Sequence, residues 1–207
     1  MRYERGTLHA LLGDFVVYRG LVPQDARLPG LPEIRAELGL PKGHLPRKAE
    51  PSYARVVLRI LRAAQALRTR APLSHLLYIG DTKRNDALTI AGLGNHLPIR
   101  GFIAAEAPDE AKNVEIQGRV MYANRWGALA DFLGWLQKER YPLADETALL
   151  LDLDKTAFGA RGRNSQVIDS ARVAAVRRTV EEALGGAFDE QAFRAVYAEL
   201  NRQKYHS

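Results

Sequence analysis

Two aspartates separated by one residue follow a short apolar segment near residue 150. Residues 148–151 are Ala-Leu-Leu-Leu, and Asp152, Asp154 and Thr156 occupy alternate positions after them. Carboxylates this close repel each other unless a cation or a proton lies between them. Carboxylate oxygens suit Mg²⁺, and carboxylates also act as nucleophiles and general acids. The pattern predicts a buried strand that ends in an aspartate pair able to hold Mg²⁺ and attack a phosphate.

A second acidic cluster follows another apolar segment. Residues 75–79 lead directly into Gly80-Asp81, and Asp86 comes five positions later at the start of a predicted helix. An aspartate before a helix is often only a cap, and this explanation serves for either cluster alone. Ligands of open parallel sheets, however, bind at the carboxyl ends of the strands. Two such strand ends in one small chain favour a ligand site.

The composition narrows the chemistry of that site. The chain has 207 residues and no cysteine, which excludes disulfides, thiolate catalysis and zinc sites of the cysteine type. Its five histidines are scattered, so a bound metal should be a hard cation held by oxygen. The net charge of +6 fits either a solvated arginine-rich surface or attraction to phosphate. Nucleic acid is a less favoured partner.

The lengths of the apolar runs in the sequence indicate where the protein is located. No apolar run approaches the roughly 20 residues that span a bilayer, and the N-terminus does not lead into a signal-peptide core. We therefore expect a cytoplasmic protein without membrane association.

Strand-like and helix-like segments alternate along most of the chain. This alternation predicts an α/β fold with a mainly parallel sheet covered on both faces. The predicted elements are a strand within 9–18, a short helix at 32–38, a helix at 51–67, a strand at 75–79, a helix ending near Gly92 or Gly94, a strand at 99–104, a hairpin through 114–122, a helix at 125–138 capped by Asn124, and a strand at 148–153.

After Thr156 the pattern changes to two helices without a strand. Asp169 or Ser170 is expected to cap the first helix, and Gly185-Gly186 to end it. Asp189 is expected to cap the second. We divide the chain into an α/β region, 1–143, and a region 144–207 that contains the aspartate-pair strand and the helices.

These motifs resemble those of the haloacid dehalogenase superfamily, a group of mostly Mg²⁺-dependent phosphatases with a Rossmann-like core. The aspartate pair resembles the family's first motif, the Gly-Asp cluster its fourth, and a lysine before the helix at 51–67 its third. The matching residues are Asp152, Asp154 and Thr156, then Gly80, Asp81 and Asp86, and finally Lys48. The resemblance implies a Rossmann-like parallel sheet with a helical cap segment at the C-terminus.

The resemblance also implies a role for each residue. Asp152 would be the nucleophile that forms an aspartyl-phosphate, and Asp154 the general acid. Lys48 would neutralise charge between nucleophile and phosphate, and Thr156 would orient the aspartate loop. The implied ligands of Mg²⁺ are Asp152, the backbone carbonyl of Asp154, Asp81, and Asp86 directly or through water. The implied activity is that of a phosphatase acting on a phosphorylated small molecule.

The order of the motifs differs from that of the family, because the Gly-Asp cluster here precedes the aspartate pair. Three arrangements are compatible with this order: a circular permutation that builds one site, two half-domains of a longer protein with a missing C-terminal remainder, or two chains that complete each other as a homo-oligomer. The family's phosphate-binding Ser or Thr motif has no match. A phosphatase-like module that binds its ligand without turnover is therefore the alternative function.

Overall fold

The chain divides into two compact units. The structure, a computed structural model, describes residues 15–18, 20–107, 109–153, 156 and 165–200. The first unit comprises residues 1–157 and the second residues 158–207. The division expected from the motifs falls after residue 143, whereas the compact units divide after residue 157. The strand at Thr147–Leu151, which Asp152 follows directly, therefore belongs to the first unit.

The first unit is built on a five-stranded, mostly parallel sheet in the order β5-β6-β4-β3-β7. Strand β3 pairs in parallel with β4 and β7, and β4 with β6, while β5 is antiparallel to β6. The strands are β3 (His75–Gly80), β4 (Ile99–Ala104), β5 (Val114–Gln117), β6 (Val120–Ala123) and β7 (Thr147–Leu151); a separate antiparallel pair consists of β1 (Val17–Tyr18) and β2 (Val22–Pro23).

Six α-helices lie in the described part of the chain. They are α1 (Leu31–Glu37), α2 (Pro51–Arg68), α3 (Lys83–Leu93) and α4 (Leu129–Lys138) in the first unit, and α5 (Ser165–Leu184) and α6 (Glu190–Leu200) in the second. None of the described helices combines the length and the apolar composition needed to cross a membrane.

Alternation of side chains along β3 divides the core between the two faces of the sheet. Leu76 and Tyr78 contribute to a cluster with α1, α2 and α3. Leu77 contributes to a second cluster with Phe102 of β4 and Phe132 of α4. The predicted α/β class and the mostly parallel sheet are thus confirmed, with helices on both faces of its central strands.

Strand β7 differs from the predicted buried strand. It is the outermost strand of the sheet, and only the face that contains Ala148 and Leu150 packs against the core. On the other face Leu149 is 50% and Leu151 40% exposed, because the cluster beneath α4 includes residues of β3, β4 and β6 but none of β7. The expectation that both faces are covered is therefore wrong for this strand.

The start of α4 also differs from expectation. Asn124 does not cap the helix, because a 3-10 turn at Trp126–Ala128 precedes Leu129. Its Oδ1 instead accepts a hydrogen bond from the Asn113 backbone N at 2.7 Å, and its Nδ2 donates to the Ala111 carbonyl at 2.7 Å. The asparagine thereby fixes the entry of the β5–β6 hairpin. Of the predicted strand at 9–18, residues 9–14 lie outside the described residues.

The second unit contains the two expected helices. Helix α5 begins at Ser165, so Asp169 and Ser170 lie within it and do not cap it. It ends at Leu184, followed by a 3-10 turn whose Gly185 has a φ of +52°, a conformation that favours glycine. Asp189 caps α6 as predicted, since its Oδ1 accepts hydrogen bonds from the backbone N of Gln191 at 2.8 Å and of Ala192 at 3.0 Å.

Polar and aromatic contacts join α5 and α6. Glu190 accepts hydrogen bonds from Arg177 and from Arg194, the latter at 2.8 Å. Phe193 contacts the rings of Phe188 and Tyr197, with centroids 5.9 and 5.8 Å apart. No residue of the second unit whose burial is described is buried, so this helix pair has little core of its own.

Close packing between β4 and α3 gives a test of the fold. A Cβ built at Gly101 would lie 2.3 Å from Ile90 Cδ1, and Ile90 is fully buried. We expect Gly101→Ala to lower the free energy of unfolding by about 1–3 kcal/mol, because a close-packed interior must shift to accept a methyl group. Adding Ile90→Val removes the clashing methyl and should recover part of the loss in chemical denaturation.

The matched control is Gly134→Ala on α4, where no atom lies within 4 Å of an added Cβ. This variant should gain about 0.5–1 kcal/mol, since alanine is the better helix former. Equal stability of Gly101→Ala and the wild type would contradict the packing of α3 on β4.

Candidate functional site

The two acidic clusters lie side by side at the carboxyl ends of the strands, because β3 and β7 are neighbours. Ile79 is in register with Leu151, and the Asp152 backbone N donates to the Ile79 carbonyl at 2.9 Å. Asp81 and Asp152 therefore follow adjacent strand ends of a single sheet. The described residues place both clusters in the first unit of one chain.

Lys48 connects these strand ends. It lies in the loop before α2, and its Nζ donates to Asp86 Oδ1 at 2.6 Å, to Asp152 Oδ1 at 3.0 Å and to Tyr78 OH at 3.2 Å. The lysine side chain is 31% exposed and that of Asp152 21%, while Asp86 is fully buried. One ammonium group thus bridges a buried carboxylate and a solvent-accessible one.

Asp86 is fully satisfied by hydrogen bonds. Its Oδ1 accepts from Lys48 and from Tyr78 OH at 2.7 Å, and its Oδ2 accepts from the backbone N of Asp81 at 3.0 Å and of Thr82 at 2.9 Å. The carboxylate therefore holds the turn between β3 and α3, as a cap would, and also anchors Lys48. Direct coordination of a metal would require some of these four bonds to break.

Gly80 makes room for this carboxylate. A Cβ built at Gly80 would lie 2.3 Å from Asp86 Oδ2 and 2.9 Å from Tyr78 Cε1. Real Cβ atoms do not approach a carboxylate oxygen so closely, and neither neighbour can withdraw within a packed interior. Glycine before Asp81 is thus required by the inward position of Asp86.

The charges of the cluster perturb the titration of two groups. Burial by itself would lower the pKa of Lys48, but its contacts with Tyr78, Asp86 and Asp152 outweigh burial and raise the pKa well above the ordinary value. Burial, followed by the negative charge of Asp86, raises the pKa of Tyr78. Lys48 is therefore cationic and Tyr78 neutral at neutral pH. The stabilisation that comes from the charge of Lys48 is fully present below its unfolded pKa of about 10.4 and is lost as the pH rises through the higher folded pKa.

One tyrosine belongs to the cluster although the motifs do not include it. Tyr78 contacts both Lys48 and Asp86 through its hydroxyl. The available sequence signal was a tyrosine inside an otherwise apolar strand, two residues before Gly80.

The remaining predicted site residues are placed only in part. Asp81 Oδ1 accepts from Thr82 Oγ1 at 3.2 Å. Thr156 Oγ1 is buried and has no hydrogen-bond partner in the described part of the chain, so its predicted orienting role stays a prediction. Asp154, the predicted general acid, lies outside the described residues.

Two residues with oxygen donors of the type that binds hard divalent cations follow the ends of β3 and β7. Asp81 and Asp152 supply carboxylate oxygens from neighbouring strand ends, and oxygen is the ligand that Mg²⁺ prefers. Among the described residues no group of three or more acidic, histidine or cysteine side chains could hold a metal ion. A complete coordination shell would therefore draw on Asp154, water or substrate in addition to these two carboxylates.

Comparison of the chain with protein-family models, with curated proteins and with solved structures finds no match. The chemical interpretation of the site consequently depends on its own geometry and on the motifs in the sequence.

Removal of the buried charge tests the structural role of Asp86. Asp86→Asn replaces an acceptor of four hydrogen bonds by an amide that accepts on one side only, and it removes the buried partner of Lys48. We expect a loss of about 3–5 kcal/mol in the free energy of unfolding, the usual cost of breaking a buried ion pair from one side. Chemical denaturation at neutral pH measures it.

The matched control is Asp109→Asn, since Asp109 is an exposed aspartate of the same unit. Its unfolding free energy should stay within about 0.5 kcal/mol of the wild type. If both variants were equally stable, the four hydrogen bonds of Asp86 would contribute nothing.

Proposed function

We propose that the protein is a Mg²⁺-dependent phosphatase that hydrolyses phosphorylated small molecules through an aspartyl-phosphate at Asp152. The observation that carries this proposal is the position of Lys48 Nζ, 3.0 Å from Asp152 Oδ1 at the carboxyl edge of a mostly parallel sheet. A partly exposed carboxylate held beside a fixed cation suits attack on a phosphate, because the cation offsets the repulsion between two anionic groups.

The proposed reaction has two steps. A carboxylate oxygen of Asp152 attacks phosphorus, the bond to the leaving oxygen breaks, and Asp154 donates a proton to that oxygen. Asp154 then accepts a proton from water, whose oxygen attacks phosphorus, and the bond to Asp152 breaks to release phosphate. Asp154 follows Asp152 by two positions in the sequence, which suits one group acting on both leaving oxygen and water.

Lys48 supplies the fixed positive charge. Phosphoryl transfer depends chiefly on positioning and on electrostatic stabilisation of the transferring group. The raised pKa keeps the ammonium charged throughout the neutral range, and its bond to the buried Asp86 holds it in place. The lysine therefore needs no reorganisation when charge develops on the phosphate.

Mg²⁺ would be held by Asp152 and Asp81, with the backbone carbonyl of Asp154. The bound ion would neutralise phosphate oxygens as a Lewis acid. Asp86, whose oxygens are occupied by four donors, suits an indirect role through Lys48 and the turn at Asp81.

The same proposal includes a haloacid dehalogenase-type core with the C-terminal helices as a cap. Support comes from the adjacency of the Gly-Asp strand and the aspartate-pair strand, which allows one site despite the reversed motif order. Helices α5 and α6 follow the aspartate-pair strand directly in the chain, where a cap would lie.

Asp152→Asn tests the nucleophile. We expect the wild type to release phosphate from an aryl phosphate with Mg²⁺ and to lose that release in EDTA. Asp152→Asn should abolish it, because an amide cannot form the phosphoenzyme. The control Asp145→Asn, an exposed aspartate shortly before β7, should retain full activity.

The alternative function, a module that binds its ligand without turnover, predicts a different result. If the wild type binds polyanions with an affinity that falls steeply with salt but releases no phosphate at any Mg²⁺ concentration, the phosphatase proposal is wrong and a binding module takes its place. Equal activity of Asp152→Asn and the wild type would also refute the assigned nucleophile.

Lys48→Met tests the fixed charge. We expect kcat to fall by about 10²-fold or more, the usual effect of removing one electrostatic stabiliser of a transition state. Lys42→Met alters an exposed lysine of the same loop and should leave kcat unchanged. Similar losses in both variants would indicate that general basicity of the loop, and not the bridge to Asp152, supports activity.

A further inference from the structure

We infer that Tyr78 is a positioning residue that orients the Lys48 ammonium toward Asp152; this inference rests on the proposed phosphatase function. The tyrosine is 4% exposed in the middle of β3. Its hydroxyl donates to Asp86 Oδ1 at 2.7 Å and accepts from Lys48 Nζ at 3.2 Å. Tyr78 thus closes a triangle of hydrogen bonds with the lysine and its buried partner.

The contact between Tyr78 and Lys48 matters because the lysine ammonium has as many N–H donors as it has acceptors here. A lysine ammonium has three N–H groups, and Lys48 has three oxygen acceptors, on Asp86, Asp152 and Tyr78. With each acceptor in a different direction, rotation of the ammonium is restrained. Two of the three acceptors belong to buried residues, so the third N–H is directed to Asp152.

Loss of the hydroxyl would relax this arrangement. One lysine N–H and one lone pair of Asp86 Oδ1 would lose their partner, and the ammonium would be free to rotate about its strong bond to the buried acceptor at 2.6 Å. That rotation would turn the remaining N–H groups away from Asp152. Tyr78→Phe isolates the effect, because it keeps the ring, whose centroid lies 5.9 Å from Lys48 Nζ.

A double-mutant cycle tests whether Tyr78 and Lys48 act together, since it measures coupling between two side chains and cancels what each contributes alone. Both side chains also bind Asp86 Oδ1, so kcat, and not the coupling, distinguishes orientation of Lys48 from satisfaction of Asp86. Tyr78→Phe, Lys48→Met and the double variant of the full chain are compared with the wild type by equilibrium unfolding. We expect coupling of about tenfold in the unfolding equilibrium constant, within the range for contacting polar groups.

Tyr122→Phe is the matched control. Tyr122 is a partly buried tyrosine of β6 that packs against the same core cluster, and no hydrogen bond of its hydroxyl occurs among the described residues. Coupled with Lys48→Met, it should be additive to within about twofold. Additivity of Tyr78→Phe with Lys48→Met would overturn the inference.

Kinetics supply the readout that a merely structural residue would not change. We expect Tyr78→Phe to lower kcat about tenfold with KM nearly unchanged, because the lysine acts on the charge that develops in the transition state. Unchanged kcat would overturn the positioning role even if coupling were found. No turnover by the wild type, together with retained coupling, would overturn the phosphatase proposal and leave the Tyr78–Lys48 contact established.

Discussion

The ammonium of Lys48 joins the loop before α2 to two other parts of the chain, the β3–α3 segment and the residue after β7. It contacts Tyr78 and Asp86 in the first of these and Asp152 in the second. The fully buried Asp86 carboxylate would be costly without a cation and hydrogen bonds. Lys48 and three donors near the β3 end meet this requirement, and the same lysine is thereby fixed beside Asp152. The stability of the turn and the electrostatics of the site depend on one group.

The local backbone is adapted to this ion pair. Gly80 leaves the space that Asp86 occupies, and the backbone N–H groups of Asp81 and Thr82 are bound to Asp86 Oδ2. The Gly-Asp sequence after β3 is therefore explained by packing and hydrogen bonding around a buried carboxylate. Within this Gly-Asp sequence, Asp81 is the residue that we propose to bind the metal, and it lies between β3 and α3.

Strand β7 leads into the proposed nucleophile, but one of its two faces is not covered by the core. Asp152 follows it directly, yet one face of the strand exposes Leu149 and Leu151, and the strand lies at the edge of the sheet. Edge strands in soluble proteins are usually shielded by charge, proline or a covering element. Thr147–Leu151 has neither charge nor proline, so Asp152 is positioned mainly by pairing with β3 and by its contact with Lys48.

Periodicity and turn residues determined most of the local structure. The 3.6-residue spacing of apolar residues after Pro51 predicted α2, and the apolar runs at 75–79 and 99–104 predicted β3 and β4 nearly to the residue. Asp189 was identified correctly as a cap because its effect reaches only three residues along the chain. Asn124 was misassigned, since its side chain binds residues 11 and 13 positions away.

The sequence by itself also identified Lys48, Asp81, Asp86 and Asp152 as chemically informative residues. Only the tertiary structure decided that β7 pairs with β3 and that Asp86 is buried with four hydrogen bonds. It also decided that Tyr78 belongs to the cluster. Strand order and burial depend on contacts between residues up to 104 positions apart, and no local propensity encodes which of several equally apolar strands will become neighbours.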